Sequence, residues 1–244
     1  MTALERPERH PLCPPATAAA LGRTVVIAPH PDDESLGCGG LLALQADAGL
    51  APRVVVVTDG SRSHASATYP PQRLAALREE EARDAVAALG LGRDAVTFLR
   101  HPDCDVPGPG AGPFDTAAAA LADALGDAET VLVPWRRDPH CDHEAAWALA
   151  RAAVRRLRPP VRWVEYAVWA WEHAGTDRAP RAGEVRPWRL DIADVLDRKR
   201  AAVAAHVSQT TRLIDDDPEG FVLEGRVLAH FDRPWELYLD LPDA

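Results

Sequence analysis

The segment "HPDDE" combines residue types that could bind a divalent cation. His30 and Asp33 lie three residues apart across a proline turn, so an imidazole and a carboxylate can face a common centre. Such a mixed ligand set suits zinc or a similar divalent ion. The alternative is a solvated acidic turn at the start of a helix, where the helix dipole favours negative charge. Because neighbouring carboxylates repel one another, either water or a cation must balance them.

A second segment further along the chain, "PHCDH", has a similar composition. It offers His140, Asp142 and His143, and its alternative interpretation is a polar cap on the helix that follows. Both segments come after short apolar runs, "TVVIA" and "TVLVP", that are typical of buried strands. Two such segments at strand ends favour a shared metal site more strongly than either segment does alone.

The rest of the sequence alternates predicted strands with predicted helices after an irregular lead-in. Strands are predicted at residues 24–28, 53–58, 95–99 and 130–134, within 161–171, and at an edge of the sheet within 226–240. Residues 173–187 are predicted as a polar loop, followed by a helix over 192–209. This alternation predicts a Rossmann-like α/β three-layer sandwich, with a mostly parallel sheet and helices on both faces. We expect residues 1–22 to be the irregular lead-in and residues 23–244 to form a single domain.

In that architecture, ligands bind beyond the carboxyl ends of the strands. The segments "PHPDDE", "DGSRSH" and "WRRDPHCDHE" follow three of the predicted strands at this edge. We therefore expect the three polar segments to converge on one site.

The paired motifs "APHPDDESLGCGG" and "PHCDHEAA" resemble those of the PIG-L/LmbE family of zinc-dependent de-N-acetylases. The stretches "VVVVTDG", "REEEARDAVAALGL" and "KRAAVAAHVSQ" are similar to further conserved stretches of that family. The resemblance covers roughly residues 22–210. It implies one zinc ion per chain, held by His30, Asp33 and His143.

The resemblance also implies a role for three neighbouring residues. Asp32 would be the general base, His140 would polarise the substrate carbonyl, and Asp142 would be the partner of His140. Three protein ligands leave one zinc position open for water, whose pKa zinc lowers to about 7. We expect Asp32 to take the proton of this water, and a protonated His140 to stabilise the oxyanion while Asp142 keeps it charged.

Substrate contacts are less constrained by the sequence. Arg62 and His64 follow the second strand, where an arginine could bind a phosphate or carboxylate. A solvated loop is the alternative for both residues. Trp135, Trp169 and Trp171 could form an apolar platform for a sugar, although tryptophan is more often a core residue.

The overall composition excludes several classes of function. The net charge of −10, from 37 acidic and 27 basic residues, disfavours non-specific nucleic-acid binding. No run approaches the about 18 apolar residues of a membrane span, and the N-terminal segment does not have the pattern of a signal peptide. The four cysteines form no C-x-x-C pair, so we expect free thiols and a cytoplasmic protein.

The leading hypothesis is a zinc hydrolase that removes an N-acyl group, expected to be acetyl, from an amino sugar conjugate such as an N-acetylglucosaminyl compound. A metal-dependent amidase acting on a thiol conjugate or another non-sugar amide is the alternative. A nucleotide-binding oxidoreductase or transferase is disfavoured, because "GCGG" is only a fragment of the G-x-G-x-x-G loop. A catalytically inactive binding protein is disfavoured because every presumed catalytic position is filled. The expected partner is a small-molecule substrate, and the sequence leaves a homo-oligomer open.

Overall fold

The computed structural model describes residues 1–242. Its strands are β1 (Leu12–Cys13), β2 (Thr24–Ala28), β3 (Arg53–Thr58), β4 (Val96–His101), β5 (Thr130–Pro134), β6 (Arg162–Tyr166), β7 (Arg186–Asp191) and β8 (Trp235–Asp240). Its α-helices are α1 (Ala16–Ala19), α2 (Asp33–Asp47), α3 (Pro71–Ala88), α4 (Phe114–Leu125), α5 (Cys141–Val154), α6 (Leu196–Ala205), α7 (Val207–Thr210) and α8 (Gly225–Leu228). Short 3-10 helices lie at Pro7–Arg9, Arg93–Ala95, Trp169–His173 and Ala193–Val195.

The strands form one 8-stranded sheet with the order β1-β7-β8-β6-β5-β2-β3-β4. The pairs from β4 across to β6 are all parallel, whereas β8 runs antiparallel to both β6 and β7. The chain crosses from β2 outwards to β3 and β4 and then returns to the other side of β2 with β5. The crevice between the ends of β2 and β5 is therefore the switch point at which ligands bind in such sheets.

Two apolar layers cover the sheet because its central strands are buried on both faces. In β2, Val26 and Ala28 pack with α2, α3 and α6, while Val25 and Ile27 pack with α4 and α5 on the opposite face. This alternation follows from the two-residue period of a strand. The layers confirm the predicted sandwich of helix, sheet and helix.

The "GCGG" stretch lies inside helix α2, where its glycines permit close packing. A Cβ atom on Gly37 would lie 2.3 Å from the ring of Tyr166, and one on Gly40 would lie 2.6 Å from the side chain of Ile192. These two glycines therefore let α2 approach β6 and the segment after β7. Close packing therefore explains these glycines, and no dinucleotide-binding role is needed to explain them.

The structure differs from the sequence-based expectations at the two ends of the chain. The lead-in over residues 1–22 contains α1 and also β1, which pairs in parallel with β7 at the sheet edge. Strand β7 was missed, because it begins within the predicted polar loop and its sequence, "RPWRLD", is half polar. Strand β8 was expected at an edge but lies inside the sheet, between β6 and β7.

No helix within residues 1–242 is both long and apolar enough to cross a membrane.

Candidate metal centre and active site

The turn between β2 and α2 presents the first group of polar side chains. The Pro29 carbonyl accepts hydrogen bonds from both the amide and the hydroxyl of Thr58, which ties the turn to β3. Asp32 then adopts φ 149°, a backbone conformation that residues other than glycine rarely take. Its amide donates a hydrogen bond to Glu34 Oε2 at 3.1 Å. This strained turn points the side chains before α2 towards the switch point.

His30, Asp33 and His143 meet across the crevice between β2 and β5. Asp33 Oδ2 lies 3.3 Å from His30 Nδ1 and 3.3 Å from His143 Nε2. One ring nitrogen of each histidine lies within 4.8 Å of the other. His143 Nε2 is buried and makes no hydrogen bond within the described part of the chain. A buried imidazole nitrogen beside a carboxylate and a second imidazole is an arrangement that suits a divalent cation.

Each of the two imidazoles has a carboxylate on its far side. Asp142 Oδ2 lies 3.1 Å from His30 Nε2, and Asp138 Oδ2 lies 2.6 Å from His143 Nδ1. Metal-binding histidines in proteins are commonly oriented by such a carboxylate, which also raises their basicity. The donor set and its supports therefore fit a metal ion held by His30, Asp33 and His143.

Asp138 was not singled out from the sequence. Its carboxylate is fully buried and also accepts hydrogen bonds from the backbone amides of Trp169 and Ala170, at 3.1 and 2.5 Å. The available signal was its position in the cluster "WRRDPHCDHE", close before His143.

The three expected ligands shift one another's pKa values. Burial opposes the charged form of His30, but its contacts with Asp142 and Asp33 raise its pKa to about 9. Burial also opposes the charged form of His143, while Asp33 and Asp138 raise its pKa to about 10. Burial disfavours the Asp33 carboxylate, yet the two histidines hold its pKa well below the usual range.

Asp32 is a buried carboxylate at the side of the same crevice. Arg78 Nη2 donates hydrogen bonds to Asp32 Oδ2 at 3.2 Å and to the Pro31 carbonyl at 2.9 Å. Burial raises the pKa of Asp32 to about 6, with Arg78 lowering it and Asp33 raising it further. A carboxylate with a pKa near neutrality is suited to accept and return a proton.

His140 is the N-cap residue of α5, and its contacts differ from those expected. Its Nδ1 accepts a hydrogen bond from the Asp142 amide at 3.2 Å, so in the neutral ring the proton is on Nε2. Burial and the neighbouring His30 and His143 lower the pKa of His140 to about 4. This pKa favours a neutral ring that can donate from Nε2, whereas a protonated ring was expected from the sequence.

Asp142 is correspondingly not the close partner of His140. Its Oδ2 lies 3.8 Å from His140 Nδ1, beyond hydrogen-bonding distance. The carboxylate instead contacts His30 Nε2 and accepts from the Cys104 amide at 2.8 and 3.0 Å. Its closest imidazole contact is thus with His30, while its charge at 3.8 Å also acts to raise the pKa of His140, which burial lowers.

A cavity of about 430 Å³ opens from these residues to the surface. It is lined by His30, Asp32, Asp33, Leu36, Arg62, Ser63, Arg78, Asp103, Cys104, Pro139, His140, Trp169, Gln209, Phe221 and Leu223. Arg62 is exposed at the cavity, and its guanidinium donates to the Asp103 carbonyl at 2.5 Å. The cavity is thus lined by the polar residues of the candidate metal centre and by an apolar wall that includes Trp169, Phe221 and Leu223.

His64 does not line this cavity, contrary to the expectation of a substrate contact. Its ring is buried against the backbone of Gly220, where a Cβ atom would lie 2.2 Å from His64 Cδ2. Its Nδ1 lies 3.1 Å from the Ser63 hydroxyl. The ring is covered by the segment after α7, whose position next to His64 could not be predicted from the sequence.

One of the three tryptophans lies in the cavity wall. The Trp169 and Phe221 rings meet edge to face with centroids 5.7 Å apart. Trp135 is fully buried and donates from Nε1 to the Arg178 carbonyl, and Trp171 stacks on His230. The latter two tryptophans therefore belong to the core.

Buried polar contacts join the helices that surround the cavity. Glu34 Oε1 lies 3.0 Å from His206 Nε2, so α2 is tied to the junction of α6 and α7. Glu81 on α3 accepts from both the amide and the hydroxyl of Ser208 at 2.7 and 2.6 Å. Lys199 pairs with the buried Glu236 at 2.7 Å.

Comparison with known proteins places this arrangement among amide-cleaving enzymes. Residues 25–154 match the family model of the PIG-L proteins, described as GlcNAc-PI de-N-acetylase. The chain is 30% identical over 215 residues to a 2'-N-acetylparomamine deacetylase of Streptomyces fradiae, covering 78% of this chain and 74% of that protein. It belongs to the PIG-L family. It is accordingly a hydrolase that acts on an amide.

Two further similarities are to named deacetylases, one in sequence and one in fold. The chain is 28% identical over 224 residues to a 1D-myo-inositol 2-acetamido-2-deoxy-alpha-D-glucopyranoside deacetylase of Kineococcus radiotolerans, covering 81% of this chain but 59% of that protein. The structure of N,N'-diacetylchitobiose deacetylase from Pyrococcus horikoshii matches 76% of this chain and 70% of its own, with a TM-score of 0.60 and 22% identity. At that identity, the structural match supports the fold alone.

Proposed function

We propose that this protein is a zinc-dependent deacetylase that removes the acetyl group from an N-acetylated amino sugar conjugate. The observation that carries the proposal is that Asp32 and His140 line the same cavity as His30 and Asp33. A proton acceptor and a proton donor thereby flank the same expected metal site. The curated relatives, which are named as deacetylases of acetylated amino sugars, support the substrate class.

His30, Asp33 and His143 would hold the metal ion. When bound, zinc polarises the acetyl carbonyl and makes a water molecule acidic enough to attack at neutral pH. Asp142 and Asp138, on the far sides of the two imidazoles, fix the ring orientations. Asp33 is held in place because its Oδ2 accepts a hydrogen bond from the His30 amide at 2.9 Å.

Asp32 acts as the proton carrier in this proposal. Its pKa of about 6 leaves it mostly ionised at pH 7, so it can accept the proton of the attacking water. The protonated carboxyl group then supplies the proton that the departing amine needs. Arg78 fixes the position of Asp32 through its contact at 3.2 Å.

His140 stabilises the negative charge that develops on the acetyl oxygen. Since its Nδ1 accepts from the Asp142 amide and the ring lines the cavity, its Nε2–H is available as a donor to a bound substrate. A neutral donor in a fixed orientation is sufficient for oxyanion stabilisation. The N-cap bond keeps the ring from turning.

The sugar portion of the substrate would rest against the apolar wall. Trp169, Phe221 and Leu223 provide this surface, and tryptophan and phenylalanine rings suit the apolar faces of sugars. Arg62 at the cavity offers hydrogen bonds to polar groups of the conjugated part. We also infer a cytoplasmic location, which is supported by four cysteines that are all free thiols.

The test is a panel of N-acetylated amino sugar conjugates, assayed for released acetate by the zinc-loaded protein. We expect acetate release from at least one sugar conjugate, its loss with a chelator, and its recovery on adding zinc. Asp32→Asn is the matched control for contaminating activity. Hydrolysis confined to thiol-conjugate amides without a sugar would overturn the proposed substrate class, and release unaffected by chelation would overturn the metal dependence.

A further inference from the structure

Two cysteines that the proposed reaction does not use lie beside His140. Cys104 and Cys141 are both exposed free thiols. Together with His140 and Asp142, each offers one possible ligand atom, and these four atoms all lie within 4.8 Å of one another. They come from two separate segments, the loop after β4 and the first residues of α5.

The local backbone holds this group of four in place. Cys104 has φ +59°, in the left-handed region that residues other than glycine seldom adopt. Its amide donates to both oxygens of Asp142, at 3.0 and 2.8 Å. Asp142 is itself buried, so the loop carrying Cys104 is fixed against the start of α5.

The imidazole of His140 faces the thiols with a defined nitrogen. Its Nδ1 lies 3.9 Å from Cys141 Sγ and 3.8 Å from Asp142 Oδ2. Nδ1 and Nε2 flank the same ring carbon but point in different directions. Cys141 and Asp142 therefore approach Nδ1 rather than the nitrogen assigned to the reaction.

We propose that Cys104, His140, Cys141 and Asp142 form a second metal site that binds a thiophilic divalent cation such as Zn²⁺ and inhibits the enzyme. Two thiolates, one imidazole and one carboxylate are a ligand set that zinc and cadmium favour. Zinc bonds of about 2.0–2.3 Å place tetrahedral donors about 3.3–3.8 Å apart, which small side-chain rotations achieve from the observed spacing. This site is distinct from the one formed by His30, Asp33 and His143.

Binding at this site requires proton release but no oxidation or reduction. The two S–H bonds break as the metal–sulfur bonds form, and both protons pass to solvent. Because carboxylates already orient the two imidazoles of the first site, the second site fills only when metal exceeds one equivalent.

Inhibition follows because the second site includes His140 and Asp142, which also serve the reaction. This step rests on the proposed function. Nδ1 of His140 cannot ligate a metal and also accept the Asp142 amide, so the ring leaves the orientation that the N-cap bond imposes. A metal that draws on the Asp142 carboxylate also weakens its contact with His30 Nε2. Both changes disturb the oxyanion donor and the first metal site.

The site is tested with the full chain holding one equivalent of zinc, under a phosphine reductant that keeps thiols reduced. Cadmium is then titrated in, and thiolate-to-cadmium charge-transfer absorption is recorded together with the metal content after gel filtration. We expect a second bound ion and this absorption in the wild type. Cys104→Ser and Cys141→Ser should each lower the affinity for the second ion by at least about tenfold. Cys13→Ser, which alters a free thiol on β1, is the matched control and should behave as the wild type.

The inhibition is tested with zinc in place of cadmium. Acetate release is compared between one equivalent and an excess of zinc, with each protein normalised to its own value at one equivalent. We expect the excess to inhibit the wild type and Cys13→Ser but not the two site variants. Binding of a single ion without thiolate absorption would overturn the site, and a second ion with undiminished turnover would overturn the inhibition. The cadmium measurement needs no substrate and therefore tests the second site alone. A failure of the proposed function would appear separately, as the absence of acetate release at one equivalent of zinc.

Discussion

Asp138 Oδ2 lies 2.6 Å from Nδ1 of His143, and both side chains are fully buried. The opposite nitrogen of the same ring faces Asp33. The imidazole is therefore held between two carboxylates, one of which would bind the metal while the other fixes the ring.

From this pairing we expect Asp138→Asn to weaken metal binding by about 10- to 100-fold, because the amide neither fixes nor polarises the ring as a carboxylate does. Metal affinity is measured by competition with a chromogenic chelator. Asp105→Asn, which changes an exposed carboxylate, is the control. Unchanged zinc affinity in the Asp138 variant would show that His143 needs no such support.

Asp32→Asn should retain the metal and lose about 10²- to 10⁴-fold in turnover, because the amide cannot accept a proton. In the wild type, kcat/KM should rise with pH through about 6 as the carboxyl group ionises. Metal content is measured on the same samples as turnover. Full turnover of the Asn variant would remove Asp32 as the base.

Arg78→Gln should move this acidic limb of the pH profile to higher pH. Arg78 lowers the pKa of Asp32, so its loss raises that pKa further and delays ionisation. The matched control is Arg73→Gln, which alters an exposed arginine on the same helix. A reduced rate without any shift of the limb would indicate that Arg78 acts only in packing.

His140→Ala should keep the metal but lower turnover by about 10²- to 10³-fold, the usual cost of removing one oxyanion donor. His140→Gln, which keeps an N–H donor, should recover part of the loss. Both variants are measured for zinc content and kcat. Loss of zinc from the Ala variant would mean that His140, rather than His143, is the ligand.

His206→Gln should destabilise the fold by about 1.5–3 kcal/mol at pH 6, because a charged hydrogen bond to buried Glu34 is lost. Burial opposes the charge on His206, but Glu34 raises its pKa above the ordinary value of 6.5. The stabilisation is therefore fully present below about pH 6.5 and is lost as pH rises through the raised pKa of the folded state. Urea unfolding at several pH values should show the difference from wild type shrinking with pH, and a constant difference would contradict this pairing.

The central part of the fold was predictable because its signals are local. Strands β2, β3 and β5 are continuous apolar runs between glycines and charged turns, and their predicted bounds match the structure. By contrast, β7 and β8 pair with each other and with distant strands, so their half-polar sequences carry no information about their position in the sheet. Long-range pairing of this kind cannot be read from a single segment.

In the candidate site, too, some features were predictable from local sequence and others depend on long-range contacts. The motifs bring His30, Asp33 and His143 together because their turns follow strands that are neighbours in the sheet. The contacts of Asp142 and His140 depend on the exact geometry at the start of α5, where the backbone amide of Asp142 competes for His140 Nδ1. The burial of His64 depends on a segment that is remote in sequence, so residue type alone could not predict it.

The apolar wall of the cavity has a separate structural origin from the metal centre. Phe221 and Leu223 belong to the segment 211–224, which is attached by backbone hydrogen bonds from Phe221 to Ser63 and from Leu223 to Gln209. Substitutions in this segment would therefore leave in place the turns that are expected to bind the metal. An ancestral enzyme of this architecture could diversify its choice of acetylated compound by remodelling one surface segment, while the bond-breaking chemistry was inherited unchanged.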